Sequence, residues 1–113
     1  MYGLLDRDLK YILKAMAHFT EIDEVVIFGS RAMGNYKKGS DVDLAIVGKR
    51  IDRMILRRIS DYLNEEYPLP YFFDVISYHD IANTELKTHI DQVGKVIYKR
   101  ENNSRTKRAT AQG

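Results

Sequence analysis

From Leu5 to Met16 the apolar residues Leu5, Leu9, Ile12, Leu13 and Met16 recur at helical spacing, while Asp6, Arg7, Asp8, Lys10 and Lys14 fall on the other side. This predicts an amphipathic helix. The rhythm then tightens to that of a strand. EVVIF, residues 24–28, is a β-branched run that stops at Gly29, the pattern of a buried strand bounded by a turn residue. Residues 30–40, SRAMGNYKKGS, mix turn formers with two lysines and hold no period, so one helical turn and a loop are expected there. DVDLAIV, residues 41–47, alternates from its start. Val42, Leu44 and Ile46 take one face and Asp41, Asp43, Ala45 and Val47 the other, which predicts a second strand.

Helical spacing returns after Asp52, a predicted N-cap, with Ile55, Ile59, Tyr62 and Leu63, and it stops before Pro68. YFFDVIS, residues 71–77, reads as a third strand with Asp74 sharing a face with Phe72 and Ile76. Leu86, Ile90 and Val93 predict a last helix closed by Gly94, and KVIYK, residues 95–99, a fourth strand. The second strand follows the first too soon for a crossover helix of ordinary length. The expected fold is therefore α/β of the α+β kind, a small mixed β-sheet of about four strands packed with helices.

Composition narrows the class. A chain of 113 residues is one ordinary domain, with 44% hydrophobic and 30% charged residues and no cysteine, so disulfides, thiolate metal sites and cysteine nucleophiles are excluded together. Its apolar runs are far shorter than the roughly 20 residues of a membrane helix, and MYGLLDRDLKYILK lacks a signal-peptide h-region. A cytoplasmic protein without membrane attachment is expected. The net charge of +2 is unevenly spread. Residues 99–113 carry five basic side chains against Glu101 alone, and the remainder carries more acids than bases, so the body lacks the broad basic face of a nucleic-acid binder. Residues 1–99 are expected to form the domain and residues 100–113 a basic, disordered tail.

Candidate chemistry gathers at three places. Gly29-Ser30 ends a buried strand and opens a helical turn, where free backbone N–H groups, a hydroxyl and a helix N-terminus suit a phosphate. Asp41 and Asp43 project from one strand face, and Asp74 adds a third carboxylate inside an apolar strand, where Asp is disfavoured. Like charges so placed repel and call for a cation, and a set of oxygen ligands suits Mg²⁺, which completes its shell with water and substrate phosphate. His18, His79 and His89 lack metal-ligand spacing and read as surface or helix-end residues. Lys37 and Lys38 read as a solvated loop, and Tyr67, Tyr71, Phe72 and Phe73 as packing.

GSRAMG (29–34), SDVDLAIV (40–47) and FDVI (73–76) together resemble the minimal nucleotidyltransferases of the DNA polymerase β superfamily, whose signature is Gly-Ser, a spacer, Asp-x-Asp and a third acid on a later strand. The resemblance covers the body and leaves out the tail. Met33 departs from it, standing where many relatives carry a basic residue. It implies a polymerase β palm-like fold in which Gly29 and Ser30 hold a nucleoside triphosphate. Asp41, Asp43 and Asp74 are then the catalytic residues and bind Mg²⁺, as a pair of ions, and Arg31 makes a phosphate or substrate contact. It further implies a protein adenylyltransferase that moves AMP from ATP onto a HEPN-domain partner, as the antitoxin of a toxin–antitoxin pair and in a hetero-oligomer with it. Two alternatives stay open: a non-catalytic protein that neutralises or scaffolds a HEPN partner by contact, and a transferase acting on a small molecule.

Overall fold

The computed structural model describes residues 1–100. Helix α1 (Asp6–Ala17) leads into strand β1 (Glu24–Phe28), the short helix α2 (Gly29–Met33) and strand β2 (Val42–Val47). Helix α3 (Arg53–Asp61) is followed by a wide π-type turn (Tyr62–Glu66), strand β3 (Phe73–Ser77) and a 3₁₀ turn (Tyr78–Asp80). Helix α4 (Thr84–Val93) and strand β4 (Lys95–Lys99) complete the order. The strands form one mixed sheet in the order β3-β2-β1-β4. β1 is antiparallel to both β2 and β4, while β2 and β3, joined through α3, are parallel.

Alternation along β1 and β2 assigns the two faces. Val25, Ile27, Val42, Leu44 and Ile46 meet Ile12, Met16, Ile55, Ile59 and Leu63 in the main core, under α1 and α3. The opposite face is thinner. Phe28 and Ala45 pack there against Ile90 of α4, with Val26, Ile76 and Leu86 around them. Asp41 and Asp43 keep step with Ala45, so they belong to this thinner side, at the end of the sheet where β1 finishes and β2 and β3 begin.

Three details differ from the hydrophobic pattern, each for a polar reason. In α1 the buried residues are Asp8, Ile12, Ala15 and Met16, whereas Leu5 stands outside the helix at 61% exposure and Leu13 is at the surface. The face is rotated because the Asp8 carboxylate is itself buried, its Oδ2 accepting from the Leu5 N–H at 3.1 Å and from the Tyr71 hydroxyl at 3.0 Å. After α3, which Asp52 caps by accepting from the Ile55 N–H at 2.8 Å, the chain widens into the π-type turn instead of continuing as regular helix to Pro68. Arg100, expected at the head of the tail, is held at the end of β4, its N–H donating to the Asp23 carbonyl at 2.8 Å. The expectation for the tail from residue 101 lies outside the described residues. No described helix is long and apolar enough to cross a membrane.

The wide turn has a structural use. It carries Asn64 to the open edge of the sheet, where its Oδ1 accepts from the Phe73 N–H at 2.8 Å and its Nδ2 donates to the Phe73 carbonyl at 3.0 Å. The side chain thus pairs backbone groups that an edge strand leaves open, one residue before Asp74. Replacing Asn64 with Ala removes both bonds and is expected to cost about 2 kcal/mol of stability, at about 1 kcal/mol per bond. Urea denaturation reads this directly. An unchanged midpoint would mean that water serves that edge equally well.

Candidate active site

The register of three strands assembles the site. Asp43 on β2 is paired with Phe28 at the end of β1 on one side and with Asp74 on β3 on the other. Cross-strand partners project to the same face, and neighbouring strands lie about 4.8 Å apart, so the two carboxylates stand side by side. Asp41 lies two residues before Asp43, just ahead of β2, and its side chain is exposed. Asp74 is exposed as well, and Asp43 is half-buried.

Gly29 follows Phe28 and turns the chain from β1 into α2 with φ +72°, a left-handed conformation that favours glycine. Its backbone also lies against the acids. A Cβ at position 29 would collide with Oδ2 of Asp43, so any side chain there would have to displace the carboxylate. Ser30 is next, its carbonyl closing the short helix by accepting from the Gly34 N–H at 2.9 Å. The first N–H groups of α2 have no acceptor within the helix.

The sequence expectation for His89 is corrected here. Its Nε2 accepts a hydrogen bond from the Gly29 N–H at 3.1 Å, and its ring meets the edge of Phe28 at 6.2 Å between centres. His89 is part of the site. The signal was its spacing: counted three residues on from Leu86, it falls on the stripe of α4 that faces the sheet.

Arg31, expected at a phosphate or substrate, is only 3% exposed, and it donates to the Ser40 carbonyl through Nε and Nη2 at 3.1 and 2.7 Å and to the Tyr2 carbonyl through Nη1 at 2.9 Å. The structure therefore gathers Gly29, Ser30, Asp41, Asp43 and Asp74 at one end of the sheet and assigns Arg31 to the support behind them.

Electrostatics mark Asp43 as the strained member. Burial raises its pKa above the ordinary carboxylate value, the neighbouring charges of Asp74 and Asp41 raise it further, and His89 acts in the opposite sense. A crowded, partly desolvated set of carboxylate oxygens fits a divalent cation of the hard kind. Among the described residues no three acids or histidines converge closely enough to enclose an ion by themselves.

A scan of family models matches residues 10–103 to the family described as Polymerase beta, Nucleotidyltransferase. A search of curated proteins finds no match. Among solved structures, a toxin–antitoxin crystallised with AMP-PNP is 20% identical with a TM-score of 0.69, covering 86% of this chain and 76% of that one. The toxin–antitoxin MntA–HepT is 17% identical with a TM-score of 0.64, covering 85% and 74%. A candidate nucleotidyltransferase from Sulfolobus solfataricus is 27% identical with a TM-score of 0.52, covering 85% and 84%.

The raised pKa of Asp43 carries a prediction for stability. A carboxyl that binds its proton more tightly folded than unfolded makes the native state lose stability as pH rises from the unfolded value through the folded one, and the deficit is complete above both. Asp43→Asn is therefore expected to melt higher than wild type at pH 7, with the gap closing as pH falls below the ordinary carboxylate range. Thermal melts at several pH values check this. A lower melting temperature for Asp43→Asn at pH 7 would show that the carboxylate is a net stabiliser.

Proposed function

Because the chain belongs to the polymerase β nucleotidyltransferase family, we propose that it moves AMP from ATP onto a hydroxyl of a HEPN-type protein partner, as the antitoxin of a toxin–antitoxin pair. The observation that carries the reading is the register in which Asp43 and Asp74 are cross-strand partners while the backbone of Gly29 lies against the Asp43 carboxylate. One strand end thereby offers phosphate donors and metal-binding oxygens together. The toxin–antitoxin neighbours support the partner, and the neighbour crystallised with AMP-PNP, an ATP analogue, supports the nucleotide.

In this mechanism the Gly29 N–H and the Ser30 hydroxyl hold the triphosphate, with the N-terminal end of α2 favouring its negative charge. The Gly29 N–H exchanges His89 for a phosphate oxygen as the nucleotide enters. Asp41, Asp43 and Asp74 would hold Mg²⁺, which when bound neutralises phosphate charge on both the attacking and the leaving side of an in-line displacement. The acceptor oxygen bonds to the α-phosphorus, the bond to the β-phosphate oxygen breaks, and pyrophosphate leaves. Asp74 receives the proton of the acceptor hydroxyl. It is the most exposed of the paired acids and so the best placed to meet a group arriving from a partner.

The test is transfer of label from α-labelled ATP with Mg²⁺ and the protein encoded by the neighbouring open reading frame, for wild type and for Asp41→Ala, Asp43→Ala. Label is expected on the partner with wild type, falling by about 10²–10³-fold or more in the double variant. Tight partner binding by both proteins with no label on either would replace transfer by neutralisation through contact.

A further inference from the structure

We propose that Arg31 is the positioning residue for Asp41: it holds the peptide group in front of Asp41 still, so that the carboxylate is in place before a cation arrives. The inference rests on Asp41 being a metal ligand. It concerns how a short loop of eight residues delivers that ligand.

Asp41 lies at the end of the stretch between α2 and β2, which is exposed over most of its length and includes Gly34 and Gly39, both with positive φ. Such a stretch has many conformations available to it. Three hydrogen bonds, one after Asp41 and two before it, remove that freedom. On its C-terminal side the Val42 N–H donates to the Phe72 carbonyl at 2.9 Å, which starts the pairing with β3. On its N-terminal side the Ser40 carbonyl, half of the peptide bond to Asp41, accepts from both Nε and Nη2 of Arg31. The backbone of Asp41 is pinned before and after while its side chain stays exposed.

The pin is itself braced. The guanidinium carbon lies 5.0 Å from the ring centre of Tyr36 and 4.8 Å from that of Tyr71, and Nη1 is tied to the Tyr2 carbonyl. Tyr71 is fixed in turn by its hydroxyl bond to the buried carboxylate of Asp8. A continuous path thus runs from α1 through Asp8, Tyr71 and Arg31 to the peptide preceding Asp41. The other carboxylate oxygen of Asp8, Oδ1, is buried without a hydrogen-bond partner among the described residues. A planar fork is required here, because lysine cannot make the paired bond to one carbonyl while reaching a second.

The experiment compares wild type with Arg31→Lys, using Mn²⁺ alone as the probe and ATP without metal as the control. Arg31→Lys is expected to bind Mn²⁺ about tenfold or more weakly, as supporting residues of metal ligands do. Metal-free ATP affinity should stay within a factor of two, while kcat falls. Backbone ¹⁵N relaxation of the metal-free protein should show Asp41 becoming more mobile in the variant. Tyr36→Leu, which removes one ring from a partly exposed position, should move Mn²⁺ affinity the same way by less and serves if Arg31→Lys does not fold. Unchanged Mn²⁺ affinity in folded variants of a wild type that binds Mn²⁺, or weaker metal-free ATP binding as the main effect, overturns the inference and returns Arg31 to phosphate contact. A wild type that binds no Mn²⁺ overturns the metal reading and this inference with it.

Discussion

The alignment of β2 between its two neighbours is the constraint on which the rest depends. One register sets Phe28 opposite Asp43 and Asp43 opposite Asp74, and so brings the loop at Gly29 and two carboxylates from separate parts of the chain to a single point. A slip of one residue would turn Asp43 into the core and Leu44 toward the site. The hydrophobic pattern forbids that slip, since Val42, Leu44 and Ile46 are fully buried against α1 and α3. The residues that never touch a substrate therefore fix where the chemistry can occur.

That arrangement is unfavourable for the isolated chain. Three acids share one end of a sheet, and one of them is half withdrawn from water. The fold accommodates them by leaving Asp41 and Asp74 in solvent, where repulsion is screened. Beside them, His89 accepts from the Gly29 N–H. The Gly29 N–H is thus satisfied by a side chain, a cheaper state than an orphaned donor beside a carboxylate.

How much of this was legible in the sequence depended on whether a residue's environment follows from hydrophobicity. EVVIF, VDLAIV and KVIYK were readable because β-branched runs between turn residues have few other uses, and the mixed sheet followed from the short connection between β1 and β2. Gly29, Asp41, Asp43 and Asp74 could be singled out because glycine and aspartate are out of character at strand ends and interiors. Asp8 and Asn64 could not, Arg31 stood out only for a different role, and His89 only by its spacing on α4. Each is a polar residue placed by hydrogen bonds to backbone or side-chain groups distant in sequence, and such bonds leave no period in the chain. Asp8 also turns the buried face of α1 away from Leu5 and Leu13, while Ile12 and Met16 stay on it.

These four residues also share a position: each stands directly behind a group at the site or at its edge. Asn64 holds the residue before Asp74, Arg31 the residue before Asp41, Asp8 the tyrosine beside Arg31, and His89 the glycine against Asp43. A chain of this size has one sheet and only a thin second layer over the face that carries the acids, so it cannot immobilise those acids by packing alone. Directed bonds can do so, because a hydrogen bond fixes an angle as well as a distance, and an arginine fork fixes a plane. Precision at the strand ends is then achieved with polar side chains while the apolar core supplies the stability, and the two tasks are divided between the two faces of the same sheet.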